Sequence, residues 1–232
     1  MTWQRVAVIG ASGGIGAALV NAMRARGCEV YPLQRSATLA EQFINIEDEA
    51  SIAAAAQRLS AAGPFDLIIV ATGLLQGAGV TPEKRWSELS AEGLAKSFAV
   101  NAAGPVLVAK HFLPLLPRKG RAGFAALSAR VGSIGDNALG GWYSYRASKA
   151  ALNMLIKTLS IELVRQRPEA FCAALHPGTV DTGLSQPFQR GVAAENLFTP
   201  DFAAQRLLDV LDGLGPSDSG RCFAWDGCAI AS

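Results

Sequence analysis

The stretch Val6-Ala7-Val8-Ile9-Gly10-Ala11-Ser12-Gly13-Gly14-Ile15-Gly16 decides the reading of this chain. Val6 to Ile9 is an unbroken apolar run, as expected of a strand covered on both faces. Glycines follow at once, and from Gly14 an Ala-rich helical pattern runs to Arg26. In a strand–glycine turn–helix the backbone turns sharply and presents no Cβ to an approaching pyrophosphate. The unpaired N–H groups at the helix N-terminus then hold the phosphate charge. A glycine-rich turn alone is weak evidence, but its place between a first strand and an amphipathic helix makes it strong. Gly10, Ser12, Gly13, Gly14, Ile15 and Gly16 are therefore the expected phosphate loop of a dinucleotide site.

Outward from this loop, apolar runs alternate with helical stretches. Strands are expected at Arg5–Ile9, Glu29–Leu33, Phe43–Asn45, Asp66–Val70, Gly123–Leu127, Phe171–Leu175 and Cys222–Trp225. Helices are expected at Gly14–Arg26, Glu47–Ala61, Ser90–Leu116, Trp142–Arg167 and Pro200–Leu214. The alternation predicts βαβ units: an α/β, Rossmann-type, doubly wound parallel sheet of about seven strands with helices on both faces. No repeat or long linker divides residues 1–232, so one domain is expected. The Pro- and Gly-containing segment around 183–199 follows a strand at the carboxyl edge and is a candidate substrate lid.

The chain has 232 residues, 50% of them apolar, and a formal net charge of +2. Its apolar runs fall short of the roughly 20 residues that cross a bilayer, and the N-terminus shows no signal-peptide pattern. A cytoplasmic location without membrane attachment is the expectation. Cys28, Cys172, Cys222 and Cys228 show no CxxC spacing, and His111 and His176 stand far apart. These spacings predict neither a disulfide frame nor a metal site, and no direct chemistry for either histidine. With no Lys/Arg block, nucleic-acid binding has no support.

Nucleotide choice is read at the end of the second strand, where an acid would bind a ribose 2′-hydroxyl. Here Val30-Tyr31-Pro32-Leu33-Gln34-Arg35-Ser36 has no carboxylate. Arg35 can bind a 2′-phosphate by a charge-assisted fork and Ser36 can add a hydroxyl, so NADPH is preferred to NADH. A basic residue at Gly13 would have strengthened that preference. Asn45 is placed to reach an adenine edge, with Ile46 beside it.

Tyr145 and Lys149 stand at i and i+4 in Tyr145-Arg146-Ala147-Ser148-Lys149, on one face of the predicted helix. A nearby ammonium favours phenolate and lowers a tyrosine pKa from about 10 towards working pH, a pairing suited to proton transfer.

Gly10-x-x-x-Gly14-x-Gly16, Asn101 and Tyr145-x-x-x-Lys149 occur in the order and at the distances of a classical short-chain dehydrogenase/reductase, and His176-Pro177-Gly178-Thr179-Val180-x-Thr182 resembles that family's Pro-Gly segment. The stretches Gly132-Ser133-Ile134 and Gly140 to Asn153 resemble the C-factor-like and sniffer-like carbonyl reductases. The resemblance covers essentially the whole chain. It implies an enzyme in which Tyr145 protonates a carbonyl oxygen as hydride moves from the nicotinamide, and Lys149 holds the nicotinamide ribose. It further implies a water-borne relay at Asn101, a cofactor path along Ala71, Thr72, Gly73, Pro177, Gly178, Val180 and Thr182, a small-molecule aldehyde or ketone as substrate, and a homo-oligomer, dimer or tetramer.

Two positions depart from the family pattern. Its Asn-Asn-Ala-Gly segment reads Val70-Ala71-Thr72-Gly73, so the asparagine hydrogen bonds must be replaced. Its substrate-orienting serine falls on Ala129 in Leu127-Ser128-Ala129-Arg130. Ser128 is the favoured replacement, although neighbours on a strand point to opposite faces. Ser133 is another candidate, and a site with no hydroxyl is the third. Losing such a donor costs about 10²–10³ in rate. The alternative function is therefore a nucleotide-binding sensor or signalling protein of the same fold with weak or no turnover.

Overall fold

A computed structural model describes residues 3–231. The first half of the chain contributes β1 (Arg5–Ile9), α1 (Gly14–Ala25), β2 (Glu29–Leu33), α2 (Glu49–Ser60), β3 (Leu67–Val70), α3 (Ala91–Phe98) and α4 (Gly104–Phe112). The second contributes β4 (Ala122–Leu127), α5 (Tyr143–Gln166), β5 (Ala170–His176), β6 (Thr179–Val180), β7 (Leu197–Phe198), α6 (Pro200–Gly213), β8 (Arg221–Ala224) and β9 (Ala229–Ile230). Seven strands form one sheet in the order β2-β1-β3-β4-β5-β8-β9, parallel except for the β8–β9 pair. The strand order reverses between β1 and β3, which opens a crevice at their carboxyl ends.

Alternation along the strands builds two cores. Ile9, Ile68, Val70, Phe124, Ala126 and Ala174 face Ile52 of α2, Val108 and Phe112 of α4, and Leu152 and Ile156 of α5. Val6, Val8, Ile69, Leu127, Phe171 and Leu175 face Leu19 and Met23 of α1 and Leu207, Leu208 and Leu211 of α6. Each large side chain buried in this way contributes roughly 1.5–3 kcal/mol of transfer free energy. The strands are apolar on both sides because helices cover both sides.

The seven strands are not quite the expected seven. Phe43–Asn45 makes only an isolated bridge, between Phe43 and Gln34. The strand fails because Asn45 bends the chain: its Oδ1 accepts from Glu47 N at 3.2 Å, an Asx turn that leads into α2. The seventh place belongs to β9, a two-residue antiparallel edge too short to announce itself in sequence.

The long helix expected at Ser90–Leu116 is also divided. A π turn, Ala99–Ala103, separates α3 from α4. Pro105 has no N–H for the carbonyl four residues earlier, that of Asn101, and the ladder widens there. By length and hydropathy alone, Ala91–Leu115 is long and apolar enough to cross a membrane. Here Asn101, Ala102, Val108, Ala109 and Phe112 are buried within the fold.

Candidate active site

The crevice between β1 and β3 holds a cavity of about 310 Å³ lined by Gly10, Ser12, Gly13, Arg35, Ser36, Asn45, Ile46, Ala71, Thr72 and Gly73. All of these were expected to contact a nucleotide. Gly16 lies beneath the loop, where a Cβ would stand 2.1 Å from the Gly10 carbonyl oxygen, and a Cβ on Gly14 would stand 2.7 Å from Thr182 Cγ2. The turn therefore tolerates no side chain at Gly16, and one at Gly14 would have to displace Thr182. Thr72 Oγ1 is buried without a hydrogen-bond partner among the described residues, so it does not replace the missing asparagine bonds. A bare backbone cradle with an unpaired hydroxyl beside it fits a dinucleotide phosphate group.

At the rim, Arg35 is exposed and lies 3.6 Å from Glu47 Oε2. Lys96 of α3 also pairs with Glu47, and both residues line the cavity. The stretch Val30–Ser36 brings no carboxylate, as expected, but an acid reaches the rim from elsewhere: Glu47 comes from the α2 entry, not from β2. Lys96 is a second cation that only the fold brings here. The Asn45 carboxamide oxygen is engaged in its own turn, which leaves its amide to face a ligand.

A second cavity, about 470 Å³, lies beyond the ends of β4 and β5. Tyr145, Ser128, Ala129, Ile15, Pro177, Gly178, Val180 and Thr182 line it, as do Leu184, Ser185, Phe188 and Val192 of the expected lid segment. The short β6–β7 pair ties the two ends of that segment together. Trp142 packs edge-on to Tyr145 at 6.2 Å and to Phe188 at 5.1 Å between centroids.

Lys149 is buried, and its Nζ donates to the Leu127 carbonyl at 2.7 Å. The same nitrogen lies 5.8 Å from the centre of the Tyr145 ring. Burial pushes the Tyr145 hydroxyl up to about 12 and lowers Lys149 to about 8. The expected lowering of the tyrosine is thus reversed, because loss of solvent outweighs an ammonium at this distance. A phenol that is neutral at neutral pH suits proton donation.

Asn101 makes three hydrogen bonds from the π turn. Oδ1 accepts from Leu74 N at 2.8 Å, while Nδ2 donates to Leu74 O at 2.8 Å and to Ser148 Oγ at 3.1 Å. It braces the loop after β3 and ties it to α5. Gly73 lies between these groups: a Cβ there would stand 3.5 Å from Leu184 Cδ1 and 3.8 Å from both Asn101 Oδ1 and Lys149 Nζ, at ordinary van der Waals contact. The side-chain oxygen and nitrogen of Asn101 are thus both engaged by the protein itself.

The hydroxyl candidates are also engaged. Ser128 Oγ donates to Asn153 Oδ1 at 2.7 Å, on the α5 side of the sheet. Ser133 Oγ accepts from Asp136 N at 3.2 Å and does not line the cavity. Ala129, which does line it, presents only a methyl group.

Sequence reasoning missed three contributors. Trp142 adopts a left-handed conformation with φ 51°, and its signal was the preceding Gly140-Gly141. Buried Glu83 accepts from Trp142 N through its carbonyl at 2.5 Å and from Ser144 N through its carboxylate at 3.2 Å. No local pattern links residue 83 to residue 144. His176 lines the second cavity; its signal was its place directly before Pro177-Gly178.

Residues 4–193 match the short chain dehydrogenase family. The chain is 36% identical over 172 residues to the C-signal protein of Myxococcus xanthus, covering 72% of this chain and 93% of that one. An NADPH-bound carbonyl reductase from chicken fatty liver superposes with a TM-score of 0.81 at 27% identity, covering 100% of both chains. The carbonyl reductase Sniffer of D. melanogaster shares the fold, with a TM-score of 0.81 at 22% identity over 100% of both chains. The glycine loop, the seven-stranded sheet and these matches together establish that the chain belongs to the short-chain dehydrogenase family of oxidoreductases.

Proposed function

We propose that this protein is an NADPH-dependent carbonyl reductase in which Tyr145 donates the proton to the carbonyl oxygen of an aldehyde or ketone. The observation that carries the reading is Tyr145 facing a largely apolar cavity, one helical turn from buried Lys149, beside a cradle suited to a dinucleotide. Bound NADPH supplies the hydride. Tyr145 keeps its proton at neutral pH because its surroundings disfavour phenolate. Lys149 carries the nearby charge that stabilises phenolate as the proton leaves, and would hold the nicotinamide ribose. Arg35 and Lys96 favour a 2′-phosphate at the rim, and Val180 and Thr182 would border the carboxamide. The NADPH-bound state of the chicken-liver relative supports the cofactor choice.

Self-association belongs to the same reading. Phe98 of α3 and Met154, Ile161 and Val164 of α5 are exposed, and covering them in a dimer or tetramer would remove apolar surface from water. Ala129 and the resemblance to the C-signal protein favour a second reading, a cofactor-binding signalling protein with weak turnover.

The test is NADPH oxidation with a panel of aliphatic and aromatic carbonyls. Turnover abolished by Tyr145→Phe, with NADPH binding intact, is the expected result. NADPH binding without turnover on any carbonyl would leave the signalling reading in its place.

A further inference from the structure

The second cavity lacks a hydroxyl donor where the family pattern has its serine. Ala129 has none, the Ser128 proton is directed to Asn153, and Ser133 lies outside. Of the two guanidinium groups in the lining, Arg146 donates to the carbonyls of Gly140 and Gly141, and Arg130 lies 3.3 Å from Asp136. The Ser185 hydroxyl is bonded to Val180 O. That leaves His176.

His176 ends β5, and Ser128 follows Leu127, the β4 partner of Leu175. The imidazole therefore stands at the same level of the sheet as Ser128. Nδ1 is sealed from solvent and has no hydrogen-bond partner among the described residues. Nε2 makes no hydrogen bond to a described residue either, but it is not sealed. A buried N–H without an acceptor is rarer and costlier than a buried lone pair without a donor. The favoured tautomer therefore carries its proton on Nε2, the nitrogen that remains accessible in a ring lining the cavity. Burial, reinforced by the charge of Arg130, holds the ring neutral by lowering its pKa to about 4.

We propose that His176 is a substrate-binding residue of this chain, its Nε2–H donating to the carbonyl oxygen that Tyr145 protonates and so taking over the work of the absent serine. The inference rests on the reductase reading and extends it. No charge is needed: a neutral donor stabilises negative charge as it develops on oxygen, and a dry cavity strengthens the bond.

The experiment compares native protein, His176→Phe, His176→Gln and Tyr145→Phe on one carbonyl that the native protein reduces, with NADPH binding as the control for folding. Gln can place an amide N–H near the position of Nε2; Phe keeps the ring without a donor. The expected result is a fall in kcat/KM of about 10²-fold for His176→Phe, with Gln recovering at least about tenfold of it and NADPH affinity unchanged. His176→Leu repeats the comparison, so that a folding failure of one apolar variant does not decide it. Turnover that Tyr145→Phe abolishes while the apolar His176 variants stay within about threefold of native overturns this proposal alone. A Gln variant as slow as those variants also overturns it, and a native protein without turnover overturns the reductase reading with it.

Discussion

The Glu83 carboxylate caps the N-terminus of α5 by accepting from the N–H and the hydroxyl of Ser144, the residue directly before Tyr145. Helix α5 has no side-chain cap of its own, because its N-cap residue is Trp142 in the left-handed region. Glu83 satisfies an orphan helix N–H, places a negative charge at the positive end of the helix, and holds Trp142 N through its backbone carbonyl. Removing the carboxylate leaves the buried N–H and hydroxyl of Ser144 without their acceptor. Glu83→Ala is expected to destabilise the fold by about 1–3 kcal/mol and to lower kcat more than NADPH affinity, with Glu83→Gln intermediate. Urea unfolding alongside steady-state kinetics checks both; a Glu83→Ala protein of native stability and native kcat would refute the capping role.

Glu47 sits between two cations at the nucleotide rim and competes with any phosphate for them. Replacing Arg35 by Asp reverses the charge there, so NADPH binding should weaken by tenfold or more while NADH binding changes little. Glu47→Gln removes the competitor for Arg35 and Lys96 and should tighten NADPH by a few fold. Calorimetric titration of both nucleotides against both variants measures this. Equal effects of Arg35→Asp on the two nucleotides would exclude Arg35 from the 2′-phosphate.

Gly16 and the Gly10 carbonyl approach so closely that a methyl group at position 16 would stand 2.1 Å from the oxygen. The clash is with backbone, so the loop and not a side chain must yield. Gly16→Ala should therefore abolish detectable NADPH binding. Gly27→Ala is the control: its Cβ would meet nothing within 4 Å. Its φ of +81° still costs a non-glycine residue roughly 1 kcal/mol of stability, but cofactor affinity should be unchanged.

The same contrast between local and distant contacts explains what the sequence disclosed. The parallel sheet, the phosphate loop and the Tyr145–Lys149 pair are local patterns: apolar runs, glycines at fixed offsets and an i, i+4 spacing. Glu47 and Lys96 meet across 49 residues, and Glu83 reaches Ser144 across 61, so only the closed fold brings them together. The π turn at Asn101 was legible in principle, because Pro105 marks the missing donor, but helical periodicity runs through it. The bond from Ser128 to Asn153 depends on which side of the sheet α5 covers, and a list of strands does not settle that.

The opposed shifts of Tyr145 and Lys149 give a pH test with a definite sign. Tyr145 stays protonated up to about 12, whereas Lys149 loses its charge near 8. Reduction should therefore hold level below about pH 8 and decline above it, as the ammonium that stabilises phenolate is lost. For folding, an unfolded lysine titrates near 10.4, so from about pH 8 to 10.4 the unfolded chain binds more protons than the native one. Stability from this group then rises with pH across that window, and it falls back as pH drops through 8 and the buried ammonium re-forms. Cys172 and Cys222, raised by burial to about 12, act in the opposite direction above about pH 9. The comparison is therefore made between native protein and Lys149→Met over pH 8 to 9. Native protein should gain stability relative to the variant over that interval; parallel curves would mean that Lys149 is not titrating there.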